Sequence, residues 1–135
     1  MKGLIVATHA NMAGELLKAC ESIIGPLPRS RAISVRREDN IDEIRKLFSD
    51  ALEAVGADGA EVLILTDILG GTPANIGMSF MEPGRIDLLT GVNLPMLLKF
   101  FNSKESLSLN ELAEMLKAYG QQAIHLASDL LKRQV

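Results

Sequence analysis

A single cysteine, Cys20, occurs in the 135 residues, so the chain cannot close an internal disulfide. Its place within a helical pattern makes it a small core residue rather than a reactive thiol. Long apolar runs are missing as well. Those at 3–7 and 62–65 fall far below the ~20 residues that a membrane span requires, and the first residues carry no signal-peptide core. These absences place the protein in the cytoplasm. Charge is not strongly of one sign either: 14 Lys and Arg against 17 Asp and Glu leave a net charge of −3. That balance gives no general attraction to nucleic acid or to anionic lipid, and leaves proteins or small molecules as partners. No Pro/Ser-rich linker, repeat or low-complexity stretch divides the chain, so residues 1–135 are read as one domain. No clustered His, Cys and carboxylate ligands suggest a metal, and no cofactor is implied.

What the chain does contain is an alternation of strand and helix patterns. An apolar run at 4–8 reads as the first strand. It is followed by a helix whose face carries Met12, Leu16, Ala19, Cys20 and Ile23 until Gly25-Pro26 stops it. Residues 32–35 read as a shorter strand. Asn40 and Glu43 form a capping pair for a helix with Ile41, Ile44, Leu47, Phe48 and Leu52 on one side, ending near Gly56. The third strand spans 61–66. Thr72 as N-cap and Pro73 at the first helical position open a short helix to about Phe80. A fourth strand at 85–89 is followed by a helix from Asn93 and Pro95 to about Phe101. Ser108 and Glu111 cap a last helix that reaches nearly to the C-terminus.

The first and third strands are apolar throughout rather than alternating, which predicts burial on both faces of a mainly parallel sheet covered by helices. The expected fold is doubly wound α/β. In the common strand order 2-1-3-4, the first and third strands are neighbours ~4.8 Å apart, with the topological switch between their carboxyl ends. His9 follows one of those ends and Asp67 the other.

That pairing suggests phosphoryl chemistry. A histidine attacks phosphorus through a neutral ring nitrogen, and a carboxylate accepting the opposite ring N–H fixes the tautomer and stabilises the charge that develops. A phosphoryl group brings about two negative charges, which the amides and positive dipole end of a helix start would receive. Gly70 and Gly71 allow close backbone approach, Thr72 adds a hydroxyl, and Thr8 offers another from the opposite rim. Each piece alone has a plainer reading: a polar loop histidine, an Asx turn, a glycine turn, a helix start. Their meeting at adjacent strand ends is what favours function. His125 lies in the last helical pattern with no such setting and is read as structural or surface. Arg36 and Arg37 follow the second strand and edge the same crevice, where a solvated charged loop is the plainer reading and docking of an acidic or phosphorylated partner the sharper one. Met78, Met81 and Met96 are assigned to packing, and Met12 to exposure.

Three blocks, Ile5-Val6-Ala7-Thr8-His9, Asp67-Ile68-Leu69-Gly70-Gly71-Thr72-Pro73-Ala74-Asn75 and Gly91-Val92-Asn93-Leu94-Pro95-Met96-Leu97, occur in an order that resembles the EIIA domain of the mannose/sorbose-type sugar phosphotransferase system (PTS). The resemblance implies a doubly wound α/β fold and a phosphohistidine relay. By position His9 would receive the phosphoryl from the carrier HPr and pass it to an EIIB component, with Asp67 orienting it and Thr72 beside the phosphoryl. It further implies a homodimer that meets the membrane only indirectly, through the EIIC/EIID transporter. Relatives often have glycine after the active histidine, where this chain has Ala10. Many continue into EIIB, and here EIIB is expected on a separate chain. The C-terminal stretch 121–132 reads as helix, against exchange of a C-terminal strand. Two other roles share the fold: a phosphoryl-donor subunit of a dihydroxyacetone kinase, against which the Gly-Gly-Thr-Pro run speaks, and a regulatory module read by its phosphorylation state. A receiver-like domain would need an acidic cluster where strand 1 ends in Thr8-His9.

Overall fold

Leu4 to Ala7 and Val62 to Leu65 are all essentially inaccessible to solvent, and successive residues enter opposite cores because side chains alternate across a strand. Leu4, Val6, Leu63 and Leu65 belong to one apolar cluster, while Ile5, Ala7, Val62 and Ile64 belong to the other. Burial on both sides is what removes the polar alternation from these two segments. The computed structural model, which describes residues 1–132, arranges them as the central strands of a four-stranded parallel sheet. The last three residues of the expected domain, 133–135, lie outside that description.

The strands are β1 (Gly3–His9), β2 (Ser30–Val35), β3 (Val62–Thr66) and β4 (Ile86–Thr90), and the helices are α1 (Met12–Ile24), α2 (Ile41–Val55), α3 (Thr72–Met78), α4 (Leu94–Phe101), α5 (Leu109–Gln122) and α6 (Ala127–Lys132). Their order in the sheet is β2-β1-β3-β4, as expected. One face is covered by α1, α4 and α5, through residues such as Cys20, Leu97, Phe100 and Leu116. The other is covered by α2 and α3, through Ile44, Phe48, Val55 and Ile76. Cys20 is fully buried, and burial pushes its thiol above the ordinary value, in keeping with a packing role.

Local signals account for most boundaries. Asn40 Oδ1 accepts the Glu43 N–H at 2.8 Å, and Ser108 with Glu111 completes a reciprocal capping box at α5. Gly25, at φ +91°, ends α1 with its N–H on the Glu21 carbonyl. The differences from expectation have local reasons too. Strand β2 begins two residues early because Ser30, Arg31 and Ala32 lie along an exposed sheet edge, where polar residues conceal a strand. Helix α3 stops at Met78, after which Ser79 and Phe80 tighten into three-residue turns on Ile76 and Gly77. Thr72 is the first helical residue of α3, not its cap. Gly71, at φ +83°, occupies the cap position and no side chain caps this end.

The last helix is interrupted. Helix α5 ends at Gln122, and α6 restarts at Ala127 with the Leu126 carbonyl accepting from Asp129 and Leu130. Asp129 favours such a first turn through the helix dipole, and hydrophobic periodicity alone does not mark the restart. His125 consequently sits in the link between the two helices and is exposed, not inside a helix. Met78 and Met81 are likewise exposed rather than packed, whereas Met96 is buried. No strand follows β4 among the described residues.

Candidate functional site

Parallel pairing brings the carboxyl ends of β1 and β3 side by side, with Ala7 opposite Thr66. His9 and Asp67 lie just beyond that pair. Their contact is direct: His9 Nδ1 is 2.8 Å from Asp67 Oδ2, and the same oxygen accepts the His9 backbone N–H at 3.0 Å. The second oxygen, Oδ1, accepts the Ile68 N–H at 3.0 Å. Asp67 is thereby held at three points, two of them backbone. Partial burial pushes its carboxyl upward, but the hydrogen bonds from the His9 ring, the His9 N–H and the Ile68 N–H, together with the charge of the ring, outweigh this and hold it below the ordinary value.

An ionised carboxylate can only accept, so Nδ1 carries a proton, and in the neutral form of the ring Nε2 is the nitrogen with the free lone pair. The Nε2 edge faces the start of α3. A Cβ built on Gly71 would lie 3.1 Å from His9 Cε1 and 3.3 Å from Nε2, tighter than side chains normally pack. Gly71 therefore serves twice, by adopting a positive φ and by leaving room for the imidazole. At this uncapped helix end the N–H groups of Gly71 and Thr72 have no acceptor within the helix, and Pro73 contributes none. Gly70 takes φ +83° with open space around it, which lets the loop turn back into α3.

Thr8 takes a different place from the one expected. It is completely buried, and its hydroxyl donates to the His9 carbonyl while accepting the Ala13 N–H at 2.8 Å. Because β1 alternates, Thr8 points to the α1 face when His9 points to the α3 face, so its hydroxyl caps α1 instead of lining the crevice. The third block is structural in a similar way. Asn93 accepts the Met96 N–H to cap α4 and donates to the Gly120 carbonyl of α5, while Val92 is core and its N–H bonds the Thr66 carbonyl.

Two features were not visible in the sequence. Asn11 stands at the N-cap position of α1 but makes no cap bond; its Oδ1 instead accepts from Arg36 Nη2 at 2.9 Å. The hydroxyl of Thr66, one residue before Asp67, is buried and has no hydrogen-bond partner among the described residues. The only hint was composition, an Asn two residues after the histidine and a Thr before the aspartate.

The His9 side chain is about half exposed, and Met12 at the start of α1 and Ile68 and Leu69 directly after Asp67 are exposed apolar residues. This is an open surface with one polar centre. No helix among the described residues is long and apolar enough to cross a membrane.

Residues 3–117 match the family model described as PTS system fructose IIA component. The fructose-specific EIIA component of Bacillus subtilis (strain 168) is 33% identical over 134 residues, covering 98% of this chain and 91% of its own length. Among solved structures, the PTS IIA protein associated with the fucose utilization operon of Streptococcus pneumoniae aligns at TM-score 0.84 with 28% identity over 96% of each chain. The mannose/sorbose-specific IIA subunit of Enterococcus faecalis aligns at 0.82 with 30% identity, over 93% of this chain and 95% of its own. With the family model matched over residues 3–117 and a relative 33% identical over nearly the whole chain, the chain belongs to the mannose/fructose-type EIIA family of the sugar phosphotransferase system.

Proposed function

We propose that the chain is a phosphoryl carrier that takes the group from phospho-HPr onto His9 Nε2 and passes it to a histidine of an EIIB component. The observation that carries this reading is the 2.8 Å contact between His9 Nδ1 and Asp67, which leaves Nε2 as the nucleophile beside Gly71. In the forward step the donor P–N bond breaks and its electron pair returns to the donor ring, while the Nε2 lone pair forms the new P–N bond. Nδ1 keeps its proton, and Asp67 offsets the positive charge that the ring acquires. The Gly71 and Thr72 amides and the Thr72 hydroxyl receive the phosphoryl oxygens. The group is already activated when it arrives, so alignment and charge stabilisation supply most of the rate.

An exposed rim of Met12, Ile68 and Leu69 suits brief docking with two protein partners in turn, which requires small and weakly held interfaces. The test is incubation with phosphoenolpyruvate, enzyme I and HPr, followed by mass spectrometry for an acid-labile phosphoryl. We expect one phosphoryl on the parent and none on His9→Ala; equal labelling of both would overturn the assignment. Purified acceptors then separate the roles, since EIIB should discharge the labelled protein and a dihydroxyacetone kinase subunit should not.

The homodimer is part of the same proposal. Ile124, Leu126 and Leu131 are exposed on the C-terminal segment, an apolar surface that a second copy would cover. Sedimentation equilibrium should give twice the 14.6 kDa chain mass, and Leu131→Asp should shift it toward the monomer.

A further inference from the structure

We infer that Arg36 is a catalytic residue that grips the phosphoryl group as it moves to and from His9, an inference that rests on the carrier reading above. The need arises from charge. A phosphoryl with about two negative charges must approach a ring whose other nitrogen already faces a carboxylate, and the α3 amides that receive it are neutral. Among the described residues, Asp67 takes its hydrogen bonds from His9 and Ile68 alone. A cation from outside this trio would offset the charge that builds up on the equatorial oxygens, and a guanidinium fits a phosphoryl through paired N–H donors.

The fold delivers one. His9 is in register with Val35, the last residue of β2, and the Ala10 N–H donates to the Val35 carbonyl at 2.9 Å. Arg36 therefore begins beside the residue that follows the nucleophile. Its backbone N–H is held by Asp39 at 2.8 Å, and its Nη2 donates to Asn11 Oδ1 at 2.9 Å. The Cα of Asn11 is at most about 7 Å from that of His9, the reach of two residues. Asn11 is free for this contact because the Thr8 hydroxyl takes the Ala13 N–H of α1. Arg29 and Arg85 face the carboxylates of Asp58 and Glu82, whereas the bond from the Arg36 guanidinium goes to a neutral amide. Its remaining N–H groups stay available on an exposed side chain.

During transfer the guanidinium bonds two phosphoryl oxygens while the P–N bond to the donor breaks and that to Nε2 forms. No proton leaves Arg36, and it contacts the group in both directions of exchange.

The experiment measures single-turnover phosphorylation by phospho-HPr and the equilibrium reached with it, for the parent, Arg36→Gln, Arg36→Lys and Arg31→Ala. Arg36→Gln should lower the maximal rate by about 10- to 100-fold, as loss of charge-assisted bonds implies, and should move the equilibrium toward phospho-HPr. Arg36→Lys should recover part of both, and Arg31→Ala, an exposed arginine near the opposite end of β2, should match the parent. The 31P resonance of phospho-His9 should shift in Arg36→Gln, a signature that a merely structural role does not produce. A parent-like maximal rate and equilibrium in Arg36→Gln overturns the inference, including the case in which only the half-saturating phospho-HPr concentration rises. If the parent itself takes no phosphoryl, the carrier reading fails instead.

Discussion

Replacing Asp67 by Asn tests the geometry most severely, because the two side chains have the same shape and differ in one atom's hydrogen-bonding sense. Asp67 accepts on both oxygens: Oδ2 from the His9 N–H and Nδ1, Oδ1 from the Ile68 N–H. An asparagine can satisfy only one side. With its oxygen toward Ile68, its NH2 meets Nδ1, forces that nitrogen to accept and puts the proton on Nε2, which is then no longer a nucleophile. With its oxygen toward His9, its NH2 opposes the Ile68 N–H. The lost charge matters as well. Two opposite charges about 4 Å apart interact by about 4 kcal/mol at an effective dielectric of about 20. His9 is half exposed, with 49% of its side-chain surface accessible, so screening roughly halves this to about 2 kcal/mol, a factor of about 30 in rate. Adding the tautomer penalty gives a fall of about 10²- to 10³-fold in phosphorylation by phospho-HPr, followed by rapid quench and intact-mass analysis. A folded Asp67→Asn protein that keeps its rate within about threefold of the parent would refute the reasoning. The same pair sets an acid limit. Because the folded state holds the Asp67 carboxyl below its ordinary value, it contributes stability above an unfolded pKa of about 3.9. That contribution is lost as pH falls through the lower folded value. Urea midpoints should show this acid limb in the parent and a weaker one in Asp67→Asn.

Gly71→Ala adds a methyl 3.1 Å from His9 Cε1 at a φ of +83°; it should cost about 1–2 kcal/mol in urea unfolding and slow phosphorylation by displacing the ring, whereas Gly70→Ala, with open space around it, should show only the stability loss. Thr8→Val removes the acceptor of the buried Ala13 N–H, so it should destabilise by about 1–2 kcal/mol while still accepting one phosphoryl. Retained stability with lost labelling would return Thr8 to the crevice. Ala10 holds φ +51° directly after the nucleophile; Ala10→Val should destabilise by about 1–2 kcal/mol, since a branched side chain suits that region poorly. Ala10→Gly should unfold within about 1 kcal/mol of the parent, because relieved strain and greater unfolded-chain entropy oppose one another.

The resemblance leads one to expect a glycine after the active histidine, and Ala10 there takes φ +51°, a conformation that glycine adopts without strain. Much else was legible for reasons that act locally. Asn40, Asn93 and Ser108 each accept an N–H three residues on, a short-range event that residue type and spacing specify. The unbroken apolar runs of β1 and β3 announced central strands because both their faces are buried. Strand β2 was partly concealed, since an exposed sheet edge admits Ser30 and Arg31. The helix break before α6 was hidden because residues 123–126 include no glycine or proline and Gly120 lies inside α5.

The order of residues by itself determined most of the elements, the two-sided burial of β1 and β3, and the two segments able to hold a histidine and an acid at strand ends, since propensity, capping and apolar period are properties of neighbours in the chain. Tertiary structure alone decided how side chains 58 residues apart meet: which nitrogen of His9 is left free, that Gly71 makes room for its ring, that Thr8 turns inward to α1, and that Arg36 reaches Asn11. Those outcomes depend on strand register and on which face of the sheet each side chain occupies. A shift of one residue would reverse every one of them.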